Sequence, residues 1–210
     1  RPGPLMAQNG ELDVKVIGKS AHAGLYHLGV DSIVIASMLI CQYQTILTRV
    51  ISPVESCVIN IGEIQGGTVR NIVPDQTIFK GTVRTYSEAV FKKITDTMQS
   101  INHGFEEAYG CKIEFSCPPM YPPVLNDYDL YRQFVNLAGD NYEELKEPVM
   151  LAEDFAFYQR EVPGIFFYVG TKTNRYSSGL HTETFNFDEE LLLPAIDIYY
   201  QIASKIKLGE

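Results

Sequence analysis

Four side chains in the 210 residues stand out as able to do chemistry: His22, Asn71, Arg84 and His181. His181 follows Gly179-Leu180 and precedes an acidic, aromatic run, Thr182-Glu183-Thr184-Phe185-Asn186-Phe187-Asp188. An imidazole in a turn is a competent metal ligand. Metal needs three or four oriented ligands, however, and one imidazole does not hold zinc usefully. His22 lies in Gly18-Lys19-Ser20-Ala21-His22-Ala23, a glycine-flanked stretch directly after a strand-like run, which puts it on a loop. Asn71 lies in Gly66-Gly67-Thr68-Val69-Arg70-Asn71-Ile72-Val73-Pro74, where its amide either projects from an inter-strand loop or forms the turn itself. Arg84, in Gly81-Thr82-Val83-Arg84-Thr85, ends a strand; its guanidinium suits a carboxylate and equally suits an open surface. By residue type alone, His181 also reads as a structural histidine and His22 as an exposed loop histidine.

The remaining polar groups are weaker. His27 follows Tyr26, and His103 falls on the surface of a periodic helix. The pairs Glu106-Glu107, Glu143-Glu144 and Glu189-Glu190 read as solvated charge. Glu153-Asp154-Phe155, after the apolar Val149-Met150-Leu151, suits helix capping. There is no nucleophile elbow, P-loop or dinucleotide fingerprint, and Gly66-Gly67 is a turn signal.

The elements that must position these residues follow from periodicity. Residues 11–17 alternate, with Leu12, Val14 and Val16 on one strand face. Residues 30–50 are helical, with Ile33, Ala36, Ile40, Tyr43, Leu47 and Val50 inward and Pro53 beyond the end. Strands are expected over 56–64, 76–85 and 112–116. A second helix starts at Ser87 as N-cap, carries Phe91, Ile94, Met98, Ile101, Phe105 and Ala108 on one face, and stops at Gly110. The order β-α-β-β-α-β over residues 10–118 is the split, ferredoxin-like pattern, with both helices on one face of a four-stranded antiparallel sheet. Residues 119–210 differ. They predict a helix over 127–137, a helical turn or two over 153–160 and a buried parallel strand over 165–169. The last element is an amphipathic helix over 188–205, with Leu192, Ala195, Ile196, Tyr199 and Ile202 inward and Pro194 a possible kink. So few strands make a thin core, which implies that this half joins a larger sheet.

Composition narrows the function classes. At 45% hydrophobic and 20% charged, with a net charge of −9, the chain reads as a globular protein without the basic stripe of a nucleic-acid binder. No apolar run approaches the roughly 20 residues of a membrane span. Cys41, Cys57, Cys111 and Cys117 show no zinc spacing and read as reduced thiols of a cytoplasmic protein. The chain begins at Arg1 without a signal segment, so it is expected to be a piece of something longer.

Taken together, the motifs around His22, Asn71, Arg84 and His181, with Glu153-Asp154-Phe155, resemble the latter part of the aminoacylase and hippurate-hydrolase type of metal-dependent amidohydrolases. The resemblance implies an α/β (α+β) protein. Residues 10–118 would form a ferredoxin-like lid and dimerisation domain, and residues 1–9 and 119–210 part of an α/β metallopeptidase-like catalytic domain. It implies hydrolysis of N-acyl amino acids by a water activated between two divalent metal ions (Zn, Mn, Co or Ni). His181 would be one metal ligand. His22 would reach into the partner subunit's site to donate to the developing oxyanion, and Asn71 with Arg84 would orient the substrate. The family's other ligands and its general base do not occur here, so the chain alone is expected to be inactive and to bind no metal tightly. The expected partners are a small N-acyl amino acid and a second copy, in a homodimer, with no nucleic acid and no membrane. Two alternatives stand beside this reading: a non-catalytic dimerisation or regulatory module, or a chain completed in trans by a separate catalytic polypeptide.

Overall fold

A computed structural model describes residues 1–206. The chain divides into two compact units. One comprises 6–124 with 149–157; the other comprises 1–5, 125–148 and the residues from 158 onward.

The chain opens with β1 (Gly3–Met6) and β2 (Gln8–Ile17), the latter entering the first unit. Burial in β2 alternates, with Leu12, Val14 and Val16 sealed inside, as their period of two demands. Then come β3 (Ala21–His22), α1 (Ser32–Arg49), β4 (Cys57–Gly66), β5 (Ile72–Val73) and β6 (Gln76–Thr85). The unit continues with α2 (Glu88–Tyr109), β7 (Lys112–Ser116) and β8 (Pro119–Tyr121). The main sheet has the order β4-β6-β2-β7, all antiparallel, with β8 also pairing β2. β6 is thus inserted between β2 and β4, the split arrangement expected from the sequence.

Local chemistry sets the helix ends. Asp31 caps α1 by accepting from the N–H groups of Ile33 and Val34. Ser87 caps α2 by accepting from Val90 N–H, and Gly110 ends it in the left-handed conformation at φ 65°. The core packs Ile35, Ala36, Leu39, Tyr43 and Ile46 of α1 and Phe91, Ile94 and Met98 of α2 onto Leu12, Val14, Val16, Phe79 and Val83. Each Val, Leu, Ile, Phe and Met among them contributes about 1.5–3 kcal/mol by leaving water. The buried stripe of α1 is turned from the expected one: Ile33 is 39% exposed, and Ile35, Leu39 and Ile46 take the inner positions. Ile33 to Ile40 is apolar nearly all round, so spacing alone does not choose the face. One polar pair lies inside. Tyr43 donates its hydroxyl to Asn102 Oδ1 at 2.5 Å, with both residues buried.

In the second unit, β1 pairs with β9 (Val124–Asn126), followed by α3 (Tyr128–Ala138). Asp127 caps α3 through the N–H groups of Asp129 and Leu130. α4 (Phe155–Glu161) leads back into this unit, and α5 (Leu192–Lys205) follows a short turn of 3-10 helix at Glu189–Leu191. Two expectations are corrected here. Residues 165–169 form no strand: Phe166 instead bonds the Asn126 side chain, its N–H donating to Oδ1 and its carbonyl accepting from Nδ2. A strand exists only by pairing, and this stretch finds no ladder among the described residues. The face of α5 expected inward is only partly covered: Ile196 is 63% and Tyr199 59% exposed, with the Tyr199 ring tilted against Phe167 at 5.4 Å. Pro194 is the third residue of α5, within the first turn, where an N–H has no helical partner to lose.

Candidate functional site

Gly18 to Val30 doubles back on itself after β2. Lys19 and Val30 exchange backbone hydrogen bonds, each 2.9 Å, which closes the loop at its base. Gly18 permits this by size: a Cβ there would lie 2.1 Å from the Val30 carbonyl oxygen. The closed loop is then laced to the segment before β6. Gly18 N–H donates to Asp75 O at 2.8 Å and Ser32 N–H to Pro74 O at 3.2 Å. Ser32 Oγ reaches Pro74 O at 3.0 Å and Thr77 Oγ1 at 2.9 Å.

These bonds carry the two-residue ladder of β3 on β5. Ala21 pairs with Val73 and His22 with Ile72, and Ala23 N–H donates to Asn71 O at 3.0 Å. Two expected site residues 49 positions apart, His22 and Asn71, are therefore held side by side on one platform. Both are exposed. His22 Nδ1 accepts from Gly24 N–H at 3.1 Å. Leu25, Tyr26, Leu28 and Ile72 surround the platform with exposed apolar surface.

Arg84 lies elsewhere. It is one residue from the C-terminal end of β6, opposite Asn9 and Val58, whereas Asn71 precedes the other end. Eight strand steps separate Gln76 from Arg84, about 27 Å at 3.4 Å each. Within one chain Arg84 and Asn71 do not share a pocket. Arg84 Nη1 instead donates to Met150 O at 2.8 Å. That bond, with Ala7 N–H to Leu151 O at 2.7 Å, ties the stretch before Glu153-Asp154 to the sheet unit. Glu153 titrates above the usual carboxylate range because it shares a hydrogen bond with Asp154 and sits partly desolvated.

His181 belongs to the other unit. It is exposed and holds a left-handed backbone, φ 59°, unusual for a side chain larger than glycine. Thr182 Oγ1 donates to Gly179 O at 2.8 Å and braces this turn. The fit to a metal centre is incomplete: among the described residues, no three His, Cys, Asp or Glu side chains come together to hold an ion. Of the acidic pairs, Glu106 is not merely solvated. It accepts from Ile113 N–H at 2.7 Å and contacts His103 Nδ1 at 3.2 Å, joining α2 to β7. Sequence reasoning missed the β3–β5 ladder that brings His22 beside the Asn71 segment, since two-residue strands carry no periodicity.

This fold and platform define a class, and comparison with known proteins bears it out. Residues 9–104 match the M20 peptidase dimerisation domain. Over those residues the chain carries this dimerisation domain, and along nearly its whole length it is similar to proteins named deacetylases and to a peptidase of the M20 family. It is 34% identical to an N-acetyldiaminopimelate deacetylase of Exiguobacterium sibiricum, over 96% of this chain and 55% of that protein. A protein of the same name from Anoxybacillus flavithermus is 35% identical, over 98% of this chain and 53% of its own. Among solved structures, a dinuclear metal-binding peptidase of the M20 family from Bacillus subtilis superposes with a TM-score of 0.76 at 29% identity, covering 97% of this chain and 51% of that one. The chain thus spans about half the length of the curated relatives it matches.

Proposed function

We propose that this chain is part of an amidohydrolase that removes the acyl group from a small N-acyl amino acid. The observation that supports this best is the juxtaposition of His22 and Asn71 on one laced platform, in a chain whose relatives are named deacetylases. In this reading the His22 imidazole donates to the oxygen of the scissile amide as negative charge builds there. The Asn71 amide orients the same group, and the platform reaches the site of a partner subunit. A donor of this kind is worth about 2.7–4 kcal/mol, or 10²–10³ in kcat.

His181 is proposed as a single ligand to a divalent-metal centre. The described residues do not supply the other ligands. Its left-handed backbone supports the proposal, because such conformations collect where function requires them. Arg84 is proposed to act on substrate only indirectly, through the segment that it holds at Met150. The four thiols are free, which suits a cytoplasmic home.

The test is release of free amino acid from N-acetyl and N-benzoyl amino acids by the full-length protein with zinc, manganese or cobalt. Turnover that falls 10²-fold or more in His22→Ala is expected. Full activity without His22, or equal activity of the isolated 210-residue chain, would remove the proposal.

A second reading, a non-catalytic dimerisation module, is favoured by one feature. Among the described residues β4 is an unpaired sheet edge of ten residues, with Val58 and Ile64 exposed along it. Light scattering that shows a stable dimer, together with no turnover by the full-length protein, would select this reading.

A further inference from the structure

The imidazole of His22 has two nitrogens, and one is already engaged. Nδ1 already accepts a hydrogen bond from Gly24 N–H at 3.1 Å, across the short helical turn that His22 caps. A ring nitrogen that accepts from an N–H carries no proton itself. The proton of the neutral ring must then sit on Nε2. His22 is also fixed from the backbone side, by its pairing to Ile72 and the bond from Ala23 N–H to Asn71 O. Directly paired residues place their side chains on the same face, so Ile72 and His22 share one face of the ladder.

We propose that Gly24 is a positioning residue for His22: its backbone N–H holds the neutral imidazole as the Nε2–H tautomer, so that His22 presents a hydrogen-bond donor and not a base. This rests on the reading of His22 given above and deepens it. Proton abstraction at Nε2 would need the other tautomer, and that tautomer sets two N–H groups against each other at Gly24. The bare backbone matters too. A Cβ at Gly24 would lie 3.3 Å from Nδ1 and 3.6 Å from Cε1, pressing on the ring.

Nitrogen-15 NMR of the histidine rings in this chain tests the proposal without any activity measurement. The spectra are recorded at pH about 8.5 and the neutral-ring signals are compared. Two other histidines calibrate the spectrum. His103 Nδ1 faces the Glu106 carboxylate, an acceptor only, and must show the Nδ1–H form. The exposed His27 supplies a loop reference. The expected result is a His22 population more strongly Nε2–H than that of His27, relaxing toward it in Gly24→Pro, which lacks the N–H. A His22 ring that matches His27 in the unmodified chain, or that carries its proton on Nδ1, overturns the proposal. Should Gly24→Pro not fold, His22→Ala serves: exchange of the Gly24 amide should quicken about fivefold once its acceptor is gone. No change there also overturns it. A tautomer result against Gly24 leaves the loss of turnover in His22→Ala standing, so the two readings fail separately.

Discussion

Replacing Gly18 by Ala should damage the platform far more than one methyl suggests. The backbone of Gly18 is ordinary, so strain is not the issue; space is. The new Cβ would meet the Val30 carbonyl oxygen at 2.1 Å and the Val30 carbonyl carbon at 3.0 Å. Ordinary van der Waals contact begins near 3.4 Å, so the two backbones must part by about 1.3 Å. That separation breaks the paired Lys19–Val30 bonds, both 2.9 Å, and strains Gly18 N–H to Asp75 O. Two or three net hydrogen bonds at about 1 kcal/mol each give roughly 2–3 kcal/mol. Alanine recovers about 0.4–1 kcal/mol through the unfolded chain. The expected loss is therefore about 1–2.5 kcal/mol in urea unfolding. In the proposed amidohydrolase the rate should fall much further, since a displacement near 1 Å of a positioned group costs up to about 10²-fold. The proximity of Ala23 to Asn71, read by nuclear Overhauser contacts, should weaken in parallel. An alanine variant with undiminished stability and an intact Ala23–Asn71 contact would refute the reasoning.

Other outcomes follow from the same structure. Tyr43→Phe should cost about 1–3 kcal/mol in urea unfolding, because Asn102 Oδ1 is left buried without its donor; Tyr43→Phe with Asn102→Leu should lose less than the two single variants summed, and simple additivity would contradict the pairing. Burial pushes the Cys117 thiol up to about 12, and Tyr43 is raised as well. Because the folded values lie above the unfolded ones, the native state keeps protons that the unfolded chain gives up. That stability is whole below pH 9 and is lost as pH rises from about 9 to 12. A midpoint in urea that stays constant over that window would contradict it, as would a Cys117→Ala variant with an unchanged decline. At His181, glycine should be tolerated within about 0.5 kcal/mol, since it adopts the left-handed backbone freely, whereas valine should cost about 1 kcal/mol or more. Equal stability of the two variants would argue against the positive φ at that turn.

Much of the sheet unit was legible because its signals are local and agree with one another. Ser87 and Gly110 mark α2 by capping chemistry, and the alternation of Leu12, Val14 and Val16 marks β2. The burial of Asn102 was not legible, since nothing near it in sequence announces Tyr43 59 positions away. His22 and Asn71 were each visible as motif residues, but their meeting depends on Gly18, Ser32 and Asp75 lacing two distant loops. Arg84 lies far from Asn71 in the same chain for the opposite reason. Thirteen residues from Asn71 looks close, but a strand is the most extended way to lay out a chain. In the second unit, Leu192, Ile196 and Tyr199 carry the right spacing for a buried face, yet spacing names no partner, and among the described residues that face stays largely exposed, with Phe167 against Tyr199.

The central claim is that His22 serves a site anchored by His181 of the other subunit. Mixing two inactive full-length variants, His22→Ala and His181→Ala, tests it most directly. In a mixed dimer one site keeps its own His181 and receives His22 from its neighbour. With half the dimers mixed and one of their two sites intact, subunit exchange should restore about a quarter of the original activity. If mixing restores nothing while exchange is demonstrated, His22 works within its own subunit or not at all, and the account is contradicted.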